Sequence, residues 1–115
     1  MIQSAFLVTG FEPSTTPPDG PPTTVQLYTY SGGRIGVAWI NGDIDAETEI
    51  AYIPDPTGLI EPDAGDIVTT VAPNYNIYET GLKTQVCTYW IRHKRGGQTT
   101  VWVKADRGSI ACAEA

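Results

Sequence analysis

One histidine, two cysteines and thirteen acids are the residues of this chain that could do chemistry, and their spacing limits what that chemistry is. His93 has no company. A general base needs a proton within reach and a partner that orients it, and no Ser or Cys nucleophile with a carboxylate is suggested near it. It falls on the inward parity of its strand beside a turn, so a partly exposed structural histidine is expected. Zinc sites use three or four His, Cys or carboxylate ligands, and the chain is short of the first two. Oxygen ligands gather in two loops, Asn41-Gly-Asp43-Ile-Asp45-Ala-Glu47 and Asp55 to Asp66. Neither follows the twelve-residue calcium-loop pattern, and acidic loops are ordinarily just solvated. No catalytic residue, metal or cofactor is therefore expected, and function has to be sought on surfaces.

The cysteines offer one covalent option. In a hairpin centred on Gly96, Cys87 stands across from about Ala105, which leaves a few residues to bring Cys112 back to it. Such a bridge would close a loop worth about 3 kcal/mol, but a reducing cytosol keeps both thiols free. Cys112, close to the C-terminus, is the better candidate for a disulfide between chains after release from the cell.

The element that positions most of these residues is Gln85 to Ala105. Two runs rich in β-branched and aromatic residues flank Arg95-Gly96-Gly97, the pattern of two strands and a tight turn. Tyr89 and Ile91 share one parity with Cys87, and Val101 and Val103 share one in the second run, giving an apolar inner face. Trp90, Arg92, Trp102 and Lys104 take the other. With the turn on Gly96, Trp90 and Trp102 lie directly opposite each other. Two outward tryptophans among cations would form a large apolar patch that something must cover. The cover is the protein's own arm or tail, a protein partner or a stacked sugar ring. Trp, Tyr and Arg are enriched at binding hot spots, and a sugar site usually adds a carboxylate or amide, for which only Gln85 and Gln98 are near.

Further strands are expected at Val25 to Tyr30, Arg34 to Ile40, Glu47 to Ile53, Ile67 to Val71 and Tyr75 to Tyr78. Leu59-Ile60 and Ser109 to Ala113 are expected as short strands. Val37 and Trp39 face inward with Ile35, and Ile50 does so on the third strand. No helical period competes, so an all-β antiparallel sandwich follows. Upstream, Glu12 to Thr24 is Pro-rich and reads as an extended spacer. It separates an arm, with Phe6 and Leu7 as its apolar contacts, that is able to add a strand to a neighbour. The expected division is 1–24 arm and spacer, 25–106 sandwich and 107–115 tail.

Length and charge bound the rest. At 115 residues there is room for one domain with a modest core. No apolar run approaches the roughly 20 residues of a membrane span, and the opening MIQSAFLVTGFEP lacks the parts of a signal peptide. A net charge of −6 argues against nucleic acid or an anionic membrane as partner. The charges are sorted: only Arg34 among seven cations precedes Lys83, and only Asp106 and Glu114 among the acids follow Glu79. Either the surface is sorted by chance, or the molecule has an acidic and a basic flank suited to an ordered array.

Pro21-Pro22, Val25, the run Ile35-x-Val37-x-Trp39 and Glu49-Ile50 resemble the opening strands of a fibronectin type III domain, whose second strand carries a core tryptophan. Leu82 and Thr88-Tyr89-Trp90-Ile91-Arg92 resemble the leucine and tyrosine around that family's tyrosine corner, although the spacing here is seven instead of six. The resemblance covers about Pro21 to Ala105 and implies a binding platform or spacer. Without a leader or a companion enzyme domain, the chain looks like the small sandwich proteins of tailed-phage particles. What that likeness implies is a non-enzymatic virion protein, made in the host cytoplasm, that decorates or links capsid or tail subunits. A carbohydrate-binding module that attaches a particle or enzyme to a glycan surface is the rival expectation.

Overall fold

A computed structural model describes residues 16–55, 57–83 and 88–106, with 81–83 as backbone path alone. The strands are β1 (Thr23–Tyr30), β2 (Arg34–Ile40), β3 (Glu47–Ile53), β4 (Ile67–Val71), β5 (Ile77–Lys83), β6 (Thr88–Arg95), β7 (Gln98–Thr99) and β8 (Val103–Lys104). Every ladder between them is antiparallel. One sheet has the order β1-β2-β5; the other runs β4-β3-β6 and ends on β7 and β8. They face each other as an antiparallel β-sandwich, the expected class. Phe6, Leu7, Cys87 and Cys112 lie outside the described residues, as does the Ser109 to Ala113 strand.

Alternation produces the core. Val25, Leu27, Ile35, Val37 and Trp39 from the first sheet meet Ile50, Tyr89, Ile91 and Ala105 from the second, all buried. Trp39 occupies the expected position, and its indole N–H donates to Asn41 Oδ1 at 2.7 Å. Val103 and Tyr52 pack against this cluster half-buried. Tyr89 is wholly buried, and that burial raises its phenol pKa, with the Thr80 hydroxyl acting in the opposite direction.

Several boundaries differ from expectation. β1 begins at Thr23 and the preceding Pro22 is fully buried, so the end of the Pro-rich stretch is part of the sandwich. Leu59 and Ile60 form no strand; they sit in a loop held by Asp55, ahead of a short 3-10 turn at Ala64–Asp66 capped by Asp63. β5 starts two residues later than Tyr75.

The hairpin carries the largest correction. Gly96 and Gly97 take φ of +61° and +76°, the two left-handed residues of a two-residue turn, and Arg95 pairs with Gln98. The turn is thus centred between the glycines. His93 still faces Thr100, yet Ile91 faces Val103 and Trp90 faces Lys104. Arg92 therefore opposes both Val101 and Trp102, which is a β-bulge. The bulge turns Val101 out of the core, to 72% exposure, and moves Trp102 off the position opposite Trp90.

Beyond β8 the chain crosses to the other sheet. Asp106 makes an isolated parallel bridge to Gln26, with Asp106 N–H on the Val25 carbonyl at 2.8 Å and Leu27 N–H on the Asp106 carbonyl at 2.9 Å. It meets β1 where that strand is irregular, next to Thr24 with its positive φ of 49°.

Candidate functional site

The outer face of β3 and β6 is graded along its length. Across the ladder the outward pairs are Glu47 with Lys94, Glu49 with Arg92, Ala51 with Trp90 and Ile53 with Thr88. The polar end forms a compact ionic group. Arg92 Nε lies 2.7 Å from Glu49 Oε1, and Lys94 Nζ lies 3.8 Å from Oε2 of the same carboxylate. Above this pair the Arg92 guanidinium stacks 4.2 Å from the centroid of Trp102, an arrangement favoured by the ring's negative face. The bulge makes it possible by placing Trp102 beside Arg92.

The apolar end is covered, not open. Trp90 is only 7% exposed and packs with Ala51 and Ile53 beneath Trp102. Its indole N–H has no hydrogen-bond partner among the described residues. Lys104, opposite Trp90, reaches to the Gly58 carbonyl at 3.3 Å and so ties the 54–63 loop to this face. The expected pair of exposed tryptophans is therefore one buried and one half-buried ring, covered by the chain's own bulge and loop.

That loop is stiff at its base. The Asp55 carboxylate, itself buried, accepts from the Thr57 hydroxyl at 2.7 Å, the Thr57 N–H at 3.0 Å and the Ile60 N–H at 3.3 Å. These bonds, the Thr57 hydroxyl first, hold its pKa below the usual carboxylate value. The Thr88 hydroxyl donates to the Asp55 carbonyl from β6. What this frame presents outward is Leu59, 82% exposed, with Ile60 beside it.

A second polar cluster closes one end of the sandwich. Asp43, buried, accepts from Asp45 N–H at 2.9 Å, Asp19 N–H at 3.1 Å and Arg95 Nη1 at 3.0 Å. Burial acts against its charge, but the three bonds together outweigh it and leave the pKa lowered. Next to it His93 is wholly buried, not partly exposed, because loop 41–46 folds over it. Arg92, Lys94, Arg95 and Lys104 thus all have partners inside the fold.

On the opposite outer face, Tyr28 lies flat along β2. A Cβ built on Gly36 would overlap its ring, and its hydroxyl meets Glu79 Oε2 at 3.4 Å. Tyr30 is a tilted neighbour at 6.2 Å between centroids, and Ile77 and Ile40 stand exposed on the same side. The alternation of Tyr28 and Tyr30 with inward Leu27 was a usable signal for this surface. Gly36, which the aromatic ring requires, was the other.

In the two acidic loops the Asp43, Asp55, Asp63 and Asp66 carboxylates accept backbone N–H bonds. Among the described residues no three His, Cys, Asp or Glu side chains gather in a metal-binding group. No helix among them is long and apolar enough to cross a membrane. Comparison with family models, curated proteins and solved structures gives no match for this chain.

Proposed function

We propose that the protein is a non-enzymatic, fibronectin type III-like binding module that links or decorates subunits of a tailed-phage particle through protein–protein contacts. The observation that carries the docking surface is the Arg92–Trp102 stack beside the stiff loop that displays Leu59. Tryptophan and arginine are the residues in which interface hot spots are enriched, and an exposed leucine on a pinned loop adds apolar contact area at little ordering cost. The fold reading has its own support. The fourth strand pairs with β3, whereas a constant-type immunoglobulin domain adds it to the sheet of its first two strands. A Cys112 link between chains would strengthen such an assembly, and non-reducing electrophoresis of the assembly tests it by a dimer-mass band.

Cross-linking and mass spectrometry of the native assembly test the docking face. Links to another subunit are expected from Lys94 and Lys104. Trp102→Ala and Leu59→Ala are expected to weaken attachment while the variants stay folded. Links that leave only from the three-stranded face would overturn this reading.

A second reading, glycan binding, is favoured by Tyr28 and Glu79. A ring laid flat on the sheet has a carboxylate at its edge, whereas on the tryptophan face the Glu49 carboxylate is held by Arg92 and Lys94. A glycan array followed by fluorescence titration separates the readings, since Tyr28→Ala abolishes binding only if sugars use this face.

A further inference from the structure

Loop 41–46, between β2 and β3, is fastened to the sandwich by Asn41, by the Asp43–Arg95 pair and by one titratable ring. His93 Nε2 accepts the Gly42 N–H at 3.1 Å. Its Nδ1 lies 3.1 Å from the Thr48 hydroxyl and 3.3 Å from the Glu47 carbonyl. An N–H aimed at Nε2 requires a lone pair there, so the ring is neutral and carries its proton on Nδ1, facing the Glu47 carbonyl. The same loop holds the chain that leads into β1. A Cβ on Gly42 would overlap the Pro21 carbonyl oxygen, Asp43 receives the Asp19 N–H, and Pro22 is buried. His93 holds the loop, and the loop holds residues 19–22.

We propose that His93 is a pH-operated latch whose protonation at Nε2 releases loop 41–46 and the 19–22 segment docked on it, while the two sheets remain paired. A proton on Nε2 turns the acceptor into a donor that faces the Gly42 N–H, so an attractive contact becomes a repulsive one. It also leaves a cation in a fully buried site. The charged groups around the ring come from every element packed there. Asp43 and Asp45 are on the loop, Asp19 is on the leading segment, Arg95 is on β6, and Glu47 on β3 turns its side chain outward across from Lys94. Asp43 is the carboxylate acting on the ring, and Arg95 at 3.0 Å offsets its field.

Burial is the largest influence and lowers the ring's pKa from 6.5, against smaller raising effects of the Glu47 carbonyl and Asp43. The latched state therefore binds fewer protons than the released state. Latching is complete above the ordinary value of 6.5 and weakens as pH falls below it toward the ring's lowered value. Asp43, whose three hydrogen bonds lower its pKa from 3.8, stays charged at and above that ordinary carboxylate value.

NMR of the full chain from about pH 7.5 to about pH 5 tests the latch. Long-range proton–nitrogen spectra are expected to show the Nδ1-protonated tautomer at the upper end and titration below 6.5. Over the same range the amides of Asp19, Gly42, Asp45 and Ala46 should shift. Their exchange protection, corrected for the intrinsic rate, should fall by up to about tenfold per pH unit, the limit for one proton. Ile50 and Ile91 should keep theirs. In His93→Gln, neutral throughout, the four amides should not respond. A ring that titrates while those amides stay unmoved overturns the proposal. So does a pH response that survives in His93→Gln, or loss of protection in all strands together. If His93→Gln does not fold, the tautomer and the amide titration of the natural chain decide alone.

Discussion

The two outer faces of the sandwich carry aromatic residues placed by the same alternation, yet they treat them differently. On the β3–β6 face Trp90 points away from the core and is nevertheless buried. On the β1–β2–β5 face Tyr28 also points outward and stays partly exposed, laid along Gly36. Parity is equal in the two cases; the surroundings are not. A bulge delivers Trp102 to one face, and a loop pinned by Asp55 and Lys104 returns across it. On the other face β1 and β2 are joined by the tight Ser31–Gly33 turn, which is too short to fold back. Alternation sets the direction of a side chain, and distant backbone sets whether water reaches it.

The sharpest test of this contrast is Trp90→Ala, because it asks a residue of outward parity to behave as core. Truncating a buried tryptophan costs about 3–5 kcal/mol, and Trp39→Ala, from the inner face, should cost as much. Each kcal/mol corresponds to roughly 4–8 °C in Tm for a domain of this size. Thermal unfolding that finds Trp90→Ala within about 4 °C of the parent would place that ring on the surface after all.

The glycines sharpen the comparison at an intermediate scale. Gly42→Ala drives a methyl group into the Pro21 backbone carbonyl, which has no free rotation to escape by, and about 1–3 kcal/mol of strain is expected. Gly36→Ala instead meets the far end of a tyrosine side chain, which can swing away, at under about 1 kcal/mol. Denaturant titration of the two variants should rank them in that order; equal losses would mean that Tyr28 is locked in place.

Arg92→Ala comes next. It removes the 2.7 Å bond to Glu49 and the stack on Trp102, and leaves a buried carboxylate with Lys94 alone. About 1–2 kcal/mol is expected. The loss should persist in high salt, since it includes packing and desolvation and not only screened charge. Tyr28→Ala should be the mildest, under about 1 kcal/mol. A larger loss there, measured by the same unfolding assay, would show that the two outer faces are equally structural.

Much of this was legible in the chain itself. Alternation over Val25 to Tyr30, Arg34 to Ile40 and Glu47 to Ile53 located three strands, and Ile35-x-Val37-x-Trp39 identified the inner tryptophan. The Gly96-Gly97 turn was recognisable, but whether it centres on Gly96 or between the two glycines was not, since a shift of half a residue alters no local pattern. Pro22 looked like spacer because prolines cannot extend a ladder, yet one standing just before a strand loses nothing by burial. Val101 was misplaced for a comparable reason: an extra residue in a bulge reverses the alternation beyond it.

What the sequence determines alone is therefore what depends on near neighbours: the strand period, the turn chemistry, the sandwich class and the inward tryptophan. Which surfaces are open was decided by contacts between residues far apart. Asp43 meets Asp19 and Arg95, Gly42 meets His93, and Lys104 meets Gly58. No window of residues encodes these meetings, because each requires two segments to be brought together by a core that neither contains. His93 shows the consequence: the same parity that turned it inward left its burial, its tautomer and its response to pH to a loop some 50 residues away.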